Sequence, residues 1–192
     1  LMHSRLVTNY CSLGMIFKKQ TTTGFSLLEV LITAAIIGIV TALVVIRYGA
    51  FNNSVLLKSQ AYEMALDLRE AQVFAVSVQQ GSGSFRNQYG IYFTDANPDR
   101  YALFVDTNDN NLYDAGEEIG DPYLLDSRFA ISAIEVDGAA ASPVSVVFKR
   151  PDFDAIINDS SANQEVVVTI VSLGSSETRA VTVTATGQIT IQ

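Results

Sequence analysis

The sequence predicts an α+β protein in which one long N-terminal helix, membrane-spanning in its first half, packs against an antiparallel β-sheet head. Three observations carry this. Residues 25–46 form a 22-residue apolar run with a single charge; an apolar seam at helical spacing follows; and seven short runs rich in β-branched and aromatic residues come after position 88. The 192-residue chain is 48% hydrophobic and 17% charged, which suits one modest domain with an added apolar segment and argues against a disordered chain.

At about 1.5 Å per residue the apolar run makes a helix of roughly 33 Å, long enough to cross a bilayer. Lys18 and Lys19 precede it and an acidic body follows, with nine basic against twenty acidic residues from position 25 onward, a balance of −11. The positive-inside tendency therefore keeps the N-terminus in the cytoplasm and exports the head. A secretory signal peptide is the competing reading, but it needs a shorter apolar core and a small-x-small cut site, and neither is found around Ile46. Cys11 follows Val7-Thr8-Asn9-Tyr10, which is not the small apolar run of a lipid-anchor site.

Glu29 lies inside the apolar run, where an ionised side chain at the helix centre costs on the order of 2.5 to 3.5 kcal/mol. It either reaches the interface or has a partner. Its setting is Lys18-Lys19-Gln20-Thr21-Thr22-Thr23-Gly24, then Phe25-Ser26-Leu27-Leu28-Glu29 and an unbroken apolar stretch. This resembles the leader and cut site of a type IV prepilin. The resemblance implies that a prepilin peptidase cuts between Gly24 and Phe25, that Phe25 becomes N-methylated, and that Glu29 is the fifth residue of the mature chain. It also implies other pilin or pseudopilin subunits and the assembly platform of the bacterial inner membrane as partners. Residues 1–24 are then a leader; Met15-Ile16-Phe17-Lys18-Lys19 alone makes its short basic start, and residues 1–14, an expected upstream extension, are given no role. Physically, the new amine at Phe25 could be neutralised by Glu29 of a neighbouring subunit, and that charge pair would fix the axial register of a filament.

Removal of the leader would also remove His3 and Cys11, the only residues of their kinds. A mature chain without them has no Ser–His pair, no Cys nucleophile and no His- or Cys-bound zinc, so an enzyme is disfavoured.

Beyond residues 25–47, residues 48–80 are expected to continue the helix as an amphipathic spine. Leu57, Ala61, Met64, Leu68, Ala71, Ala75 and Val78 form the seam, with Lys58, Glu63, Asp67, Glu70 and Gln72 assigned to a polar face. With no Pro from 25 to 80, a single helix of about 56 residues, roughly 84 Å, is predicted. A coiled-coil partner is the alternative cover for the seam, but its three Ala positions favour a sheet. Gly81-Ser82-Gly83 supplies the stop.

Residues 81–192 read as the β head: YGIYFT, RYALFVD, RFAISAIEV, VSVVFK, EVVVTIVS, RAVTVTA and QITIQ. Turns are expected at Asn97-Pro98-Asp99, Gly174-Ser175-Ser176-Glu177 and Thr186-Gly187, which makes the last three strands a meander. The helix end LDLREAQVFAVS and the closing TVTATGQITI look most like the GspH/FimT group of minor pseudopilins. Some of that group are associated with DNA uptake, but Lys149-Arg150 is an isolated basic pair on an acidic head, which disfavours nucleic acid.

Residues 106–117 have the spacing of a calcium loop. Asp106, Asn108, Asn110, Asp114 and Glu117 fall at loop positions 1, 3, 5, 9 and 12, with the Leu112 carbonyl at 7. Asn111 stands where such loops have Gly, and Asn is the best substitute at positive φ. The other reading is an acidic surface turn, since no flanking helices complete an EF-hand. Asp152 and Asp154 are the carboxylates left for an anchored hydrolase, and in a Pro-containing loop they fit a solvated turn better. The functional readings are thus a structural subunit of a type IV pilus or type II secretion pseudopilus, or a membrane-anchored binding module on a simple tether.

Overall fold

The computed structural model describes residues 24–77 and 87–192. The leader before Gly24, the expected seam residue Val78 and the Gly81-Ser82-Gly83 stop lie outside the described residues. One helix, α1 (Leu27–Val76), is followed by strands β1 (Gln88–Phe93), β2 (Arg100–Asp106), β3 (Tyr123–Leu124), β4 (Phe129–Val136), β5 (Ala139–Ala140), β6 (Val144–Phe148), β7 (Ala155–Ile157), β8 (Glu165–Ser172), β9 (Thr178–Thr184) and β10 (Ile189–Ile191). The chain divides into two compact units, Leu1–Leu43 and Val44–Gln192.

In the first unit the described part of α1 is apolar and solvent-exposed throughout. In the second, the expected seam is the buried face: Leu57, Ala61, Met64, Leu68, Ala71 and Ala75 are each at most 1% exposed. A β-sheet core covers it, as the alanines allow, since a Cβ alone lets strands approach the helix closely. The fold is therefore α+β with a helix packed on antiparallel sheets. All pairings are antiparallel, in two five-stranded sheets ordered β3-β2-β1-β6-β7 and β10-β9-β8-β4-β5.

Strand alternation explains how both sheets share this core. Tyr89, Ile91 and Phe93 of β1, Val146 and Phe148 of β6, Val166, Val168 and Ile170 of β8, and Val181 and Val183 of β9 join the helix seam in one cluster. Each large side chain buried this way contributes about 1.5 to 3 kcal/mol relative to exposure. The seven expected runs all form strands, and the three expected turns join β1 to β2, β8 to β9 and β9 to β10, completing the meander.

β6 is buried on both faces, whereas a one-sided sheet would alternate. On the outer face of its sheet the Tyr113 amide donates to Ser145 Oγ and the Tyr113 ring packs on Tyr92 and Phe104. Phe104 lies there across Gly90: a Cβ at position 90 would stand 2.6 Å from the Val146 carbonyl oxygen and 2.8 Å from the Phe104 ring. That close approach is why position 90 is glycine.

The polar face expected for the helix is only partly solvated. Gln72 is 8% exposed and its Nε2 donates to the Gly187 carbonyl at 2.6 Å. Gln60, also buried, accepts from the Asp126 amide at 3.1 Å. The Tyr101 hydroxyl donates to Asp67 at 2.5 Å and that of Tyr123 to Glu70 at 3.3 Å. Helical periodicity gave Asp67, Glu70 and Gln72 to solvent because it cannot see the strands and turns that reach past the seam.

These tyrosines set an alkaline limit. Burial, then the Asp67 hydrogen bond and charge, pushes the Tyr101 phenol well above its usual range, and burial with the Glu70 and Asp67 charges pushes Tyr123 up to about 12. The unfolded chain ionises near pH 10, below the folded value, so this stability is complete below pH 10 and is lost as the pH climbs toward the folded values. Urea unfolding of the protein should therefore show stability falling steeply between about pH 10 and 12, and Tyr101→Phe should flatten that slope. A slope unchanged in the variant would remove Tyr101 as its source.

Candidate functional site

Two groups of residues bear on function, one at the start of α1 and one on the outer face of the β1–β2 sheet. At the first, Gly24, Phe25 and Ser26 precede the helix and are exposed. A Cβ on Gly24 would have nothing within 4 Å, so neither packing nor a positive φ demands glycine there. Glu29 lies in the first turn of α1, exposed, among Leu27, Leu28, Val30 and Leu31, which are 55–83% exposed. The helix dipole rewards a carboxylate in the first turn by about 0.3 to 1 kcal/mol. That is smaller than the roughly 2.5 to 3.5 kcal/mol cost of the same charge in a bilayer core. The apolar run from Leu27 is long enough to cross a membrane, so dipole stabilisation alone does not account for an acid here.

At the second, the structure brings the expected loop residues together. Asp106, the last residue of β2 and 1% exposed, accepts the amides of Asn110 at 3.2 Å and Asn111 at 2.8 Å, one on each carboxylate oxygen. Asn111 has φ 58°, the conformation expected from its place in the loop, and Asp109 has φ 60°. Asn108 and Asn110 donate their side-chain amides to Asp114 at 2.9 and 2.7 Å, and the Leu112 amide closes on Asn110 Oδ1 at 2.8 Å. Glu117, 6% exposed, accepts from the Thr107 amide and hydroxyl at 2.8 and 2.6 Å and from the Asp114 amide at 3.1 Å. Backbone N–H groups thus satisfy much of the buried acid charge, in the manner of an anion-stabilising turn. Among the described residues no three His, Cys, Asp or Glu side chains converge as a metal-ligand group.

The loop is stapled to the sheet by contacts that the spacing did not reveal. The Val105 amide donates to the Glu117 carbonyl and the Ile119 amide to the Leu103 carbonyl, both at 2.9 Å. The Tyr113 amide donates to Ser145 Oγ at 3.0 Å, its ring stacks on Tyr92 at 4.2 Å, and Asn111 donates to Asp159 at 2.8 Å. The Tyr113 hydroxyl bonds Glu118, which pushes that phenol up to about 12.

The remaining sequence candidates lie elsewhere. Asp152 and Asp154 are exposed in the turn before β7. Arg150 Nε donates to the Ala75 carbonyl at 2.6 Å, at the end of a helix whose last turn has no basic residue of its own. A cation there favours the negative pole of the helix dipole, a use of the Lys149-Arg150 pair that sequence spacing could not indicate.

No curated protein and no solved structure matches the chain. Residues 20–45 match the family model of the prokaryotic N-terminal methylation motif, which spans Gly24, Phe25, Glu29 and most of the apolar run and supports a type IV pilin-like protein.

Proposed function

We propose that this chain is a minor pilin or pseudopilin of the GspH/FimT type: a non-enzymatic structural subunit of a type IV pilus or type II secretion pseudopilus. In this reading the prepilin peptidase cuts after Gly24, Phe25 is methylated, and the helix enters a filament with Glu29 facing the new amine of a neighbour. Before assembly the chain spans the bacterial cytoplasmic membrane once, with its head outside. The observation that carries the reading is the methylation motif ending in an exposed apolar helix with one embedded acid. A glycine that the fold does not require, placed where a peptidase would read it, supports the same conclusion.

A simple tether for a binding head is the second reading, and the head half of α1 argues against it. Tyr62, Leu66 and Val73 are 50%, 59% and 58% exposed at spacings of 4 and 7, an apolar stripe opposite the buried seam. A tether has no use for such a stripe, whereas a subunit has helices to pack against. Leu66→Glu should leave the melting temperature of the head within about 2 °C of wild type, as a surface change does, and remove the chain from sheared filaments. Normal incorporation of the folded variant favours the tether.

The loop 106–117 is proposed to hold calcium structurally. The residues fit in type, since hard oxygens fall at each ligand position and Asn111 takes the required φ. Asp106, Asn108, Asn110, Asp114 and Glu117 would turn side-chain oxygens to the ion and Leu112 its carbonyl. Calcium at about tenfold its Kd should stabilise the head by about 1.4 kcal/mol, and Glu117→Gln should abolish the increment. A melting temperature indifferent to calcium and to chelator excludes the site.

A further inference from the structure

The outer face of the β1–β2 sheet carries a cavity of about 380 Å³, and neither the subunit role nor the cation loop uses it. Tyr92, Tyr101 and Tyr113 line it, together with Asn97, Arg100 and Glu118. Its size falls at the small end of the roughly 300 to 1,000 Å³ range of small-molecule sites. We propose that this cavity binds a neutral mono- or disaccharide.

The chemistry selects that class. Aromatic walls accept the apolar C–H faces of a sugar ring, while the Tyr92 hydroxyl remains available to its polar edge, those of Tyr101 and Tyr113 being held by Asp67 and Glu118. The stacked Tyr92–Tyr113 pair, 4.2 Å between centroids and 28° between planes, makes one such wall rigid. Around it stand groups of both hydrogen-bonding senses, as a polyol requires, because each sugar hydroxyl donates and accepts. Arg100 is held by Asp99 through two bonds of 3.1 and 2.9 Å, and Glu118 by the Tyr113 hydroxyl and the Gly116 amide, so both are fixed in place before a ligand arrives. The side-chain amide of Asn97 and the hydroxyl of Tyr92 have no hydrogen-bond partner among the described residues.

Charge excludes the main competitors. The cavity holds one cation and one anion, each already partnered, so nothing in it calls for a charged ligand. The body around it carries the net negative charge of the chain and repels acidic glycans and nucleic acid. A peptide added as a strand needs an open sheet edge, and β2 lies between β1 and β3. The inference does not depend on filament assembly, because the cavity belongs to the head alone.

Saturation-transfer NMR on the full chain in lipid nanodiscs, prepared without glycoside detergents, tests it. The probes are glucose, galactose, N-acetylglucosamine, lactose and cellobiose, with sialyllactose as the anionic comparison. At least one neutral sugar should receive saturation, and Asn97→Ala and Tyr92→Leu should each weaken it about tenfold, the equivalent of one lost hydrogen bond or stacking contact. Asn97 is an exposed turn residue, so its variant keeps the test independent of folding. The proposal fails if no neutral sugar receives saturation, if sialyllactose is preferred, or if binding survives both substitutions.

Discussion

Glu29→Gln is expected to leave the chain stably inserted in the membrane and to remove it from filaments. A neutral amide costs less than a carboxylate in the apolar interior, so a helix that served only as an anchor would tolerate the change or gain from it. In the proposed filament the carboxylate would face the amine that processing would create at Phe25, with both groups away from water. Breaking one partner of such a buried pair costs about 3 to 5 kcal/mol, because the other charge is left uncompensated. Per subunit contact that is a loss of roughly two to four orders of magnitude in association. Shearing and sedimentation should find the variant in the membrane fraction at wild-type abundance and nearly absent from filaments. Substantial incorporation would assign Glu29 only the helix-dipole role of its place in the first turn.

Gly187→Ala should be the most damaging single methyl group in the head. Gly187 sits in the turn between β9 and β10 at φ 75°, a conformation that costs an L-residue about 1 to 2 kcal/mol. An added Cβ would stand 1.9 Å from the Phe153 carbonyl oxygen, backbone that cannot yield by a rotamer change. Three segments converge here: the Gly187 carbonyl accepts from Gln72 of the helix at 2.6 Å, and the Ala155 amide donates to the Ala185 carbonyl at 2.9 Å. Relieving the clash therefore means moving the closing hairpin away from the helix. Strain and overpacking together put the loss at roughly 2 to 5 kcal/mol, or about 10 °C in melting temperature. Gln72→Ala, which removes the hydrogen bond and the buried end of the side chain but leaves the backbone approach intact, should cost about 1 to 2 kcal/mol. Equal effects in the two variants would mean that the hydrogen bond, and not the backbone approach, governs this corner.

The contrast between Gln72 and its seam neighbours shows how far periodicity reaches. Leu57 through Ala75 could be assigned to the core because a 4-3 spacing puts them on one stripe, and the stripe is buried. Gln72 lies beside that stripe, and its burial depends on a turn 115 residues away. Long strands were legible because alternation over five to eight residues is a strong signal. β3, β5 and β7 were not, since two or three residues carry no period, and the equally short β10 was legible through the Thr186-Gly187 turn that pairs it with β9. β6 is buried at every position, and its contact with Tyr113 comes from 32 residues away, a long-range event with no local mark.

The functional residues divide in the same way. Gly24, Phe25 and Glu29 fall within the methylation motif matched over residues 20–45, and a motif of that kind is a linear signal by nature. The positive φ of Asn111 followed from its place in the 106–117 spacing. The Tyr92–Tyr113 stack and the Arg150 cap on α1 join positions far apart in the chain, and no spacing rule connects them. Short-range chemistry is written in the sequence as motifs, whereas the cavity is made by the fold.

Mass spectrometry of the N-terminus, on chain recovered from bacteria that contain the prepilin peptidase, tests the central claim most directly. The mature protein should begin at Phe25, carry one added methyl group on its amine, and lack everything through Gly24. Recovery of membrane-inserted chain that still bears Lys18 and Lys19, with an unmodified Gly24–Phe25 bond, would contradict it.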